Sequence, residues 1–387
     1  MNKENNKNKI KIGIITLHGY FNYGNRLQIY ATEQVLMSLG FNVETIINHN
    51  ATNKDTNTTN NILKKIYRIA KKNPKKIIKK TKDKLWKLNK KNEIEKAKKL
   101  KTIKFKNFSK QYLHESNYIL SLNNIPDDIN SKYDYFITGS DQVWNPTLQS
   151  SSALHFLIFA QENKRIAYTP SFGIINIPDN YISKYKLWLS KMNSLSVREE
   201  AGAKIINELT GRKAKVLIDP TMMLTRKVWL KLSKKPSIKY TGDYILTYIL
   251  GNLPNSKKKK INLFAKNNNL KIINLADMNN LNYYTTGPRE FLDLINSAKI
   301  VFTDSFHASV FSILFRKPFV VYDRHDDNLS MNSRIETLLN KFDLMYRYKL
   351  SPESDKIFKV DYSQIPALLK KEREKTYNYL RQALNID

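Results

Sequence analysis

Two periodicities alternate along the chain. Residues 9–16, 41–47, 133–138, 164–170, 194–197, 243–250 and 270–275 are short runs dense in Val, Ile, Leu, Phe and Tyr, as expected of buried strands. Between them apolar residues recur every three or four positions, as in Leu27, Tyr30, Ala31, Val35, Leu36 and Leu39. That spacing predicts helices over 27–39, 181–192, 198–209, 255–267, 288–296, 333–342 and 362–384. Strand, helix and strand succeed one another in both halves, so the fold class is α/β, built from β-α-β units. At 387 residues the chain is long for one core, and two domains are expected. The first spans 9–212 and the second 213–362. The helix at 363–387 is of the kind that often crosses back to the first domain.

The unit over 299–323 is the most informative. Ile300, Val301 and Phe302 form a strand, Thr303-Asp304-Ser305 ends it and caps a helix, and His307 stands in that helix's first turn. Lys317-Pro318 stops the helix before another apolar run, Phe319 to Tyr322. In open α/β sheets ligands bind beyond the carboxyl ends of strands, where a helix also offers unpaired N–H groups. His307 therefore either takes part in chemistry or fills a polar gap at a helix start.

The opening unit has the same form. His18 lies in the loop after the first strand, as a site-lining group or a strand-end hydrogen-bonding partner. Gly24 permits a close approach, and Asn25 and Arg26 stand where the helix N-terminus would face an anion. There is no G-x-G-x-x-G pattern here, so no dinucleotide is inferred. Gly139-Ser140-Asp141-Gln142 leaves the strand at 133–138, with Asp141 as a site carboxylate or a cap. Arg198 again follows a strand. Tyr23 and Trp144 either stack on a ligand or pack internally.

Charge changes the picture at one place. The net charge is +32, and residues 61–110 hold 21 Lys or Arg against Asp83, Glu93 and Glu95. This segment reads as basic helices with an apolar stripe, divided at Pro74, and suits an anionic membrane surface. The lysine-rich face could equally be a solvated one. No helix-turn-helix, RNA-binding aromatic motif or zinc finger accompanies it, so no specific nucleic-acid partner is expected. With no cysteine and no histidine spacing for a metal, neither disulfides nor a structural zinc is expected. No apolar run approaches a membrane span and residues 1–9 lack a signal-peptide core, which points to a cytoplasmic protein, with peripheral contact at the inner membrane face through the insert.

Taken together, G-x-I-T-x-H-x-x-x-N-Y-G-x-x-L-Q (13–28), F-I-x-G-S-D-Q-V-W-N (136–145), S-V-R-E (196–199), I-D-P-T (218–221) and T-D-S-F-H-A (303–308) resemble the polysaccharide pyruvyl transferase family. The resemblance implies two Rossmann-like lobes facing a cleft, GT-B-like, with the first on the acceptor side and the second on the donor side. It implies transfer of the enolpyruvyl unit of phosphoenolpyruvate to a cell-surface glycan or lipid-linked sugar, forming a pyruvate ketal, with no cofactor. His307 matches the family's motif histidine and would be the general acid. Arg198 matches an arginine that binds the donor anion. Asn25, Arg26, Gln142 and His18 would line the acceptor side, and Asp141 would assist a hydroxyl or hold its loop. Many members carry arginine where this chain has Ser305. That residue can still offer a hydroxyl, and Arg324 and Arg334 are the candidates to supply the charge. The alternatives are a GT-B glycosyltransferase using a nucleotide sugar, and a non-catalytic member of a polysaccharide assembly complex.

Overall fold

The computed structural model describes residues 10–48, 90–148, 152–237, 240, 242–324 and 332–386. In chain order the elements are β1 (Lys11–Ile15), α1 (Tyr23–Ser38), β2 (Asn42–Asn48), α2 (Lys91–Tyr112), β3 (Glu115–Leu120), α3 (Ile129–Lys132), β4 (Tyr135–Thr138) and β5 (Arg165–Ala167). There follow α4 (Asp179–Ser190), β6 (Ser196–Val197), α5 (Glu200–Thr210), β7 (Lys215–Val216) and α6 (Arg226–Leu232). The second half holds β8 (Tyr244–Tyr248), α7 (Asn255–Asn267), β9 (Lys271–Asn274), α8 (Leu281–Tyr284), α9 (Pro288–Ser297), β10 (Ile300–Thr303), α10 (Phe306–Leu314) and β11 (Phe319–Val321). Helices α11 (Ser333–Lys341) and α12 (Ile365–Ala383) complete it.

The strands form two parallel sheets, ordered β3-β2-β1-β4-β5 and β11-β10-β8-β9. Register follows the apolar runs, with Ile12 opposite Val43 and Val301 opposite Leu246. Strand order reverses between β1 and β4 in one sheet and between β8 and β10 in the other, the points where such sheets take ligands. A further pair, β6 with β7, places Lys215 and Val216 with the strand that precedes Arg198, just past residue 212, where the first domain was expected to end.

Helix α1 begins earlier than its apolar spacing indicates. The Asn22 side chain accepts from the Asn25 N–H, and this cap draws Tyr23, Gly24, Asn25 and Arg26 into the first turn. That turn packs on the second lobe: Tyr23 stacks on Phe291 at 4.5 Å, and its hydroxyl lies 2.9 Å from Thr286 Oγ1. One apolar core consequently runs from Ile12, Ile14 and Leu27 to Val301 and Phe311. Helix α12 then returns across the molecule. The Tyr379 hydroxyl donates to the Ala167 carbonyl at 2.6 Å, and Arg373 donates to Met222 O and Leu224 O.

Of the basic segment, residues 61–89 lie outside the described residues. Helix α2 buries Ile94, Ala97, Phe105 and Phe108 and exposes most of its lysines. Lys101 is the exception. It is 8% exposed, with its Nζ over the rings of Tyr284 (4.5 Å) and Tyr23 (4.7 Å), and burial pushes its ammonium down to about 8. Among the described residues no helix is long and apolar enough to cross a membrane.

Candidate active site

At the end of β10 the polar residues fix a rigid turn. Thr303 Oγ1 donates to Tyr248 O at 2.6 Å, and the Asp304 carboxylate accepts from Leu250 N and Gly251 N at 2.8 and 2.7 Å. Ser305 is the N-cap of α10, its hydroxyl accepting from Ala308 N at 3.4 Å. His307 is thereby held in the first turn, only 7% exposed. One side of its ring lies against α1. A Cβ on Gly24 would fall 2.1 Å from His307 Nδ1 and 2.3 Å from Cγ, so only glycine fits there. The other nitrogen, Nε2, is 3.5 Å from Asp219 Oδ2 and has no hydrogen-bond partner.

Asp219 is the hub of the cluster. Its Oδ2 accepts from Arg198 Nη1 at 2.7 Å and Ser140 Oγ at 3.0 Å, and its Oδ1 accepts from Thr221 Oγ1 at 2.6 Å. Burial alone would raise this carboxyl, but the facing His307 and Arg198 outweigh burial and hold it well below the usual carboxylate range. Arg198, 3% exposed, is correspondingly pushed up against its own burial by Asp219, Asp141 and Glu199. Its Nη2 lies 3.6 Å from Asp141 Oδ1, yet Nε and Nη2 make no hydrogen bond. Its guanidinium sits 4.3 Å from the Phe306 ring centroid, and that of Arg334, from α11, sits 5.9 Å from the same ring. Arg334 is 6% exposed, its Nε is unpartnered, and no carboxylate among the described residues lies within ion-pair distance of it. Burial first, and the Arg198 charge second, push it down to about 10. Two buried guanidiniums with open donors, repelling one another, form a site that an anion would stabilise.

Two residues here carried no role in the sequence reading. Asp219 stands in the I-D-P-T block, where an Asp before Pro reads as a turn former. Glu199, fully buried, follows Arg198 and accepts on Oε1 from Ser171 Oγ, Phe172 N and Gly173 N at 2.9, 2.8 and 3.1 Å. Its Oε2 has no partner and contributes to the field on both arginines. Gln28 also gains a part, accepting from Ser140 N at 3.1 Å.

The first-lobe candidates divide. Asp141, in left-handed backbone at φ 71°, reaches the cluster through Arg198, and Gln142 follows it with its N–H donating to Asp141 Oδ1 at 2.9 Å. Arg26 does not face an anion site. It is fully buried, bonded to Glu115 Oε1 at 2.6 Å, Asn25 Oδ1 at 3.0 Å and Ser109 Oγ at 3.1 Å. Asn25 also donates to Leu17 O at 2.7 Å, and His18 Nε2 lies 3.5 Å from Glu115 Oε1. These three residues form an internal network around Glu115, because the first turn of α1 points Asn25 and Arg26 into their own lobe and the preceding loop brings His18 to the same carboxylate. Tyr23 and Trp144 are packing residues, both fully buried, with Trp144 stacked on Phe156 at 5.2 Å. Arg324 is half-buried, and its charge adds to the pressure on Arg334. No cluster of His, Asp and Glu among the described residues could hold a metal ion.

A family model of polysaccharide pyruvyl transferases matches residues 22–326. The chain belongs to that family. The matched span opens at Asn22, the cap of α1, and includes Arg198, Asp219 and His307, whereas Arg334 lies beyond it. No curated protein matches the chain. Among solved structures, a UDP-GlcNAc 2-epimerase from Neisseria meningitidis bound to UDP-GlcNAc is 11% identical, covering 97% of this chain and 99% of its own, with a TM-score of 0.45. The S. aureus MnaA–UDP structure is 9% identical over 98% of both chains at 0.49, and a glycosyltransferase from Rickettsia africae is 12% identical over 98% of this chain and 94% of its own at 0.41. Membership makes the protein a transferase of polysaccharide biosynthesis.

Proposed function

We propose that this family member moves the enolpyruvyl unit of phosphoenolpyruvate onto a sugar of a glycan or lipid-linked precursor and closes it to a pyruvate ketal. The observation that carries this reading is the pair Arg198 and Arg334, buried beside Phe306 with open N–H donors. A ligand with both phosphate and carboxylate suits two guanidiniums. Arg334 stands in for the charge that Ser305 does not supply, with Arg324 adding to the local positive field.

His307 in its protonated form gives a proton to the methylene carbon, which becomes a methyl group. The cation developing at the central carbon is attacked by one sugar hydroxyl, phosphate leaves, and a second hydroxyl closes the ring. Each hydroxyl loses a proton, one of which restores His307. Asp219 faces His307 Nε2 at 3.5 Å and sets the direction in which the ring points. Asp141 is the nearby carboxylate able to receive a hydroxyl proton from the acceptor side.

Calorimetry with phosphoenolpyruvate tests the donor. Arg198→Ala and Arg334→Ala should each lose about 2 to 4 kcal/mol of binding. His307→Ala should still bind, with turnover reduced by about 10² to 10⁴. Tight binding of UDP-sugars and none of phosphoenolpyruvate would replace this reading with a nucleotide-sugar transferase.

A further inference from the structure

Helix α2 has a face that serves neither the core nor the cleft. At spacings of three and four residues it carries Lys96, Lys99, Leu100, Ile103, Lys106 and Lys110, all exposed. Leu100 is 47% exposed and Ile103 52%. None of these four lysines pairs with an acid among the described residues, unlike Lys90, just before this helix, and Lys104 within it. Lys106 Nζ lies 5.5 Å from the Tyr20 ring, so this face runs up to the loop between β1 and α1. The next residue in that loop, Phe21, is 72% exposed, the most exposed large apolar side chain among the described residues.

Apolar side chains set among unpaired lysines match the boundary between acyl chains and anionic headgroups. We propose that α2 and Phe21 dock the protein on an anionic lipid surface. Leu100, Ile103 and Phe21 enter the headgroup boundary, while Lys96, Lys99, Lys106 and Lys110 meet lipid phosphates. The aliphatic pair favours lipid over nucleic acid, whose backbone calls for charge alone. The docked loop leads directly into α1, whose Gly24 touches His307, so the cleft would open close to the bilayer. A lipid-linked acceptor could then reach it without leaving the membrane. That delivery rests on the proposed function, whereas the docking does not.

The test is sedimentation of the full chain with phosphatidylcholine vesicles, with and without an equal part of phosphatidylglycerol. Binding is expected only with the anionic lipid, and weakens with salt. Combined Lys96→Ser, Lys99→Ser, Lys106→Ser and Lys110→Ser should lower partitioning by at least about a hundredfold, each lysine counting for roughly fivefold. Combined Phe21→Ser, Leu100→Ser and Ile103→Ser should lower it by about tenfold at an unchanged melting temperature. A control set of exposed lysines elsewhere, Lys227→Ser, Lys231→Ser, Lys259→Ser and Lys266→Ser, should bind nearly as the wild type does. Equal loss in the control set would assign the binding to net charge and overturn the proposal, as would wild-type binding by the α2 variants. A dimer in light scattering that the apolar variant abolishes, with vesicle binding intact, would give the face to a second copy of the chain. Calorimetry with phosphoenolpyruvate is independent of all these outcomes, so the two readings can fail separately.

Discussion

The two lobes begin their cleft edges with the same device, a strand, a polar loop and a capped helix, and use it in opposite ways. In the second lobe Ser305 caps α10 and leaves His307 Nε2 without a hydrogen bond, with Arg334 of the same lobe and Arg198 of the first beside it also holding open donors. In the first lobe Asn22 caps α1, and the charge in that turn, Arg26, is fully engaged by Glu115, Asn25 and Ser109. A charged residue at a strand's carboxyl end is therefore a candidate ligand group only where its surroundings leave some of its donors open.

Arg334→Met tests that contrast most directly. It should weaken phosphoenolpyruvate binding by about 2 to 4 kcal/mol. The same change should stabilise the unliganded protein by about 1 to 3 kcal/mol, because folding depresses this guanidinium to about 10, well below its ordinary value, and so disfavours its charged form. Chemical denaturation with and without donor would show both effects, and a destabilised variant would break the contrast. Arg26→Met should do the reverse, costing about 2 to 4 kcal/mol of stability by stranding Glu115, with donor affinity unchanged. Gly24→Ala pushes a methyl into His307 and should lower turnover and cost about 1 to 3 kcal/mol, whereas donor binding through the arginines survives. The smallest effect belongs to Lys101. Its native pKa, about 8, lies below the unfolded value of 10.5, so the unfolded chain binds more protons between them and stability rises with pH over that window. Thermal melts from pH 7 to 10 should show this rise in the wild type, and Lys101→Met should flatten it while adding about 1 to 2 kcal/mol at pH 7, less whatever the surrounding rings return.

The alternation of periods was enough to read the α/β class, and α7 falls on the residues its spacing predicts. Strand β3 escaped because Glu115, Ser116 and Asn117 open it and it lies at the edge of its sheet, where half its hydrogen-bonding groups need no neighbour. The early start of α1 escaped because Gly24 argues against helix, and only the approach of His307, far along the chain, requires glycine there. Of the site, His307 and Arg198 were legible as polar residues following apolar strands. Asp219 and Glu199 were not, since a buried carboxylate has no local signature and acquires its role from distant partners such as His307 and Ser171. The misplacement of Arg26 has the same root: sequence locates a charge in a helical turn but not the direction in which it points.

The returning helix α12 has a mechanical consequence. The chain passes from one lobe to the other near Asp219 and comes back through α12, which is bonded to Ala167, Met222 and Leu224. Together with the apolar core that the lobes share from Leu27 to Phe311, this return path closes a loop of chain around the cleft, so that His307 keeps its seat against Gly24 instead of depending on a single crossing strand.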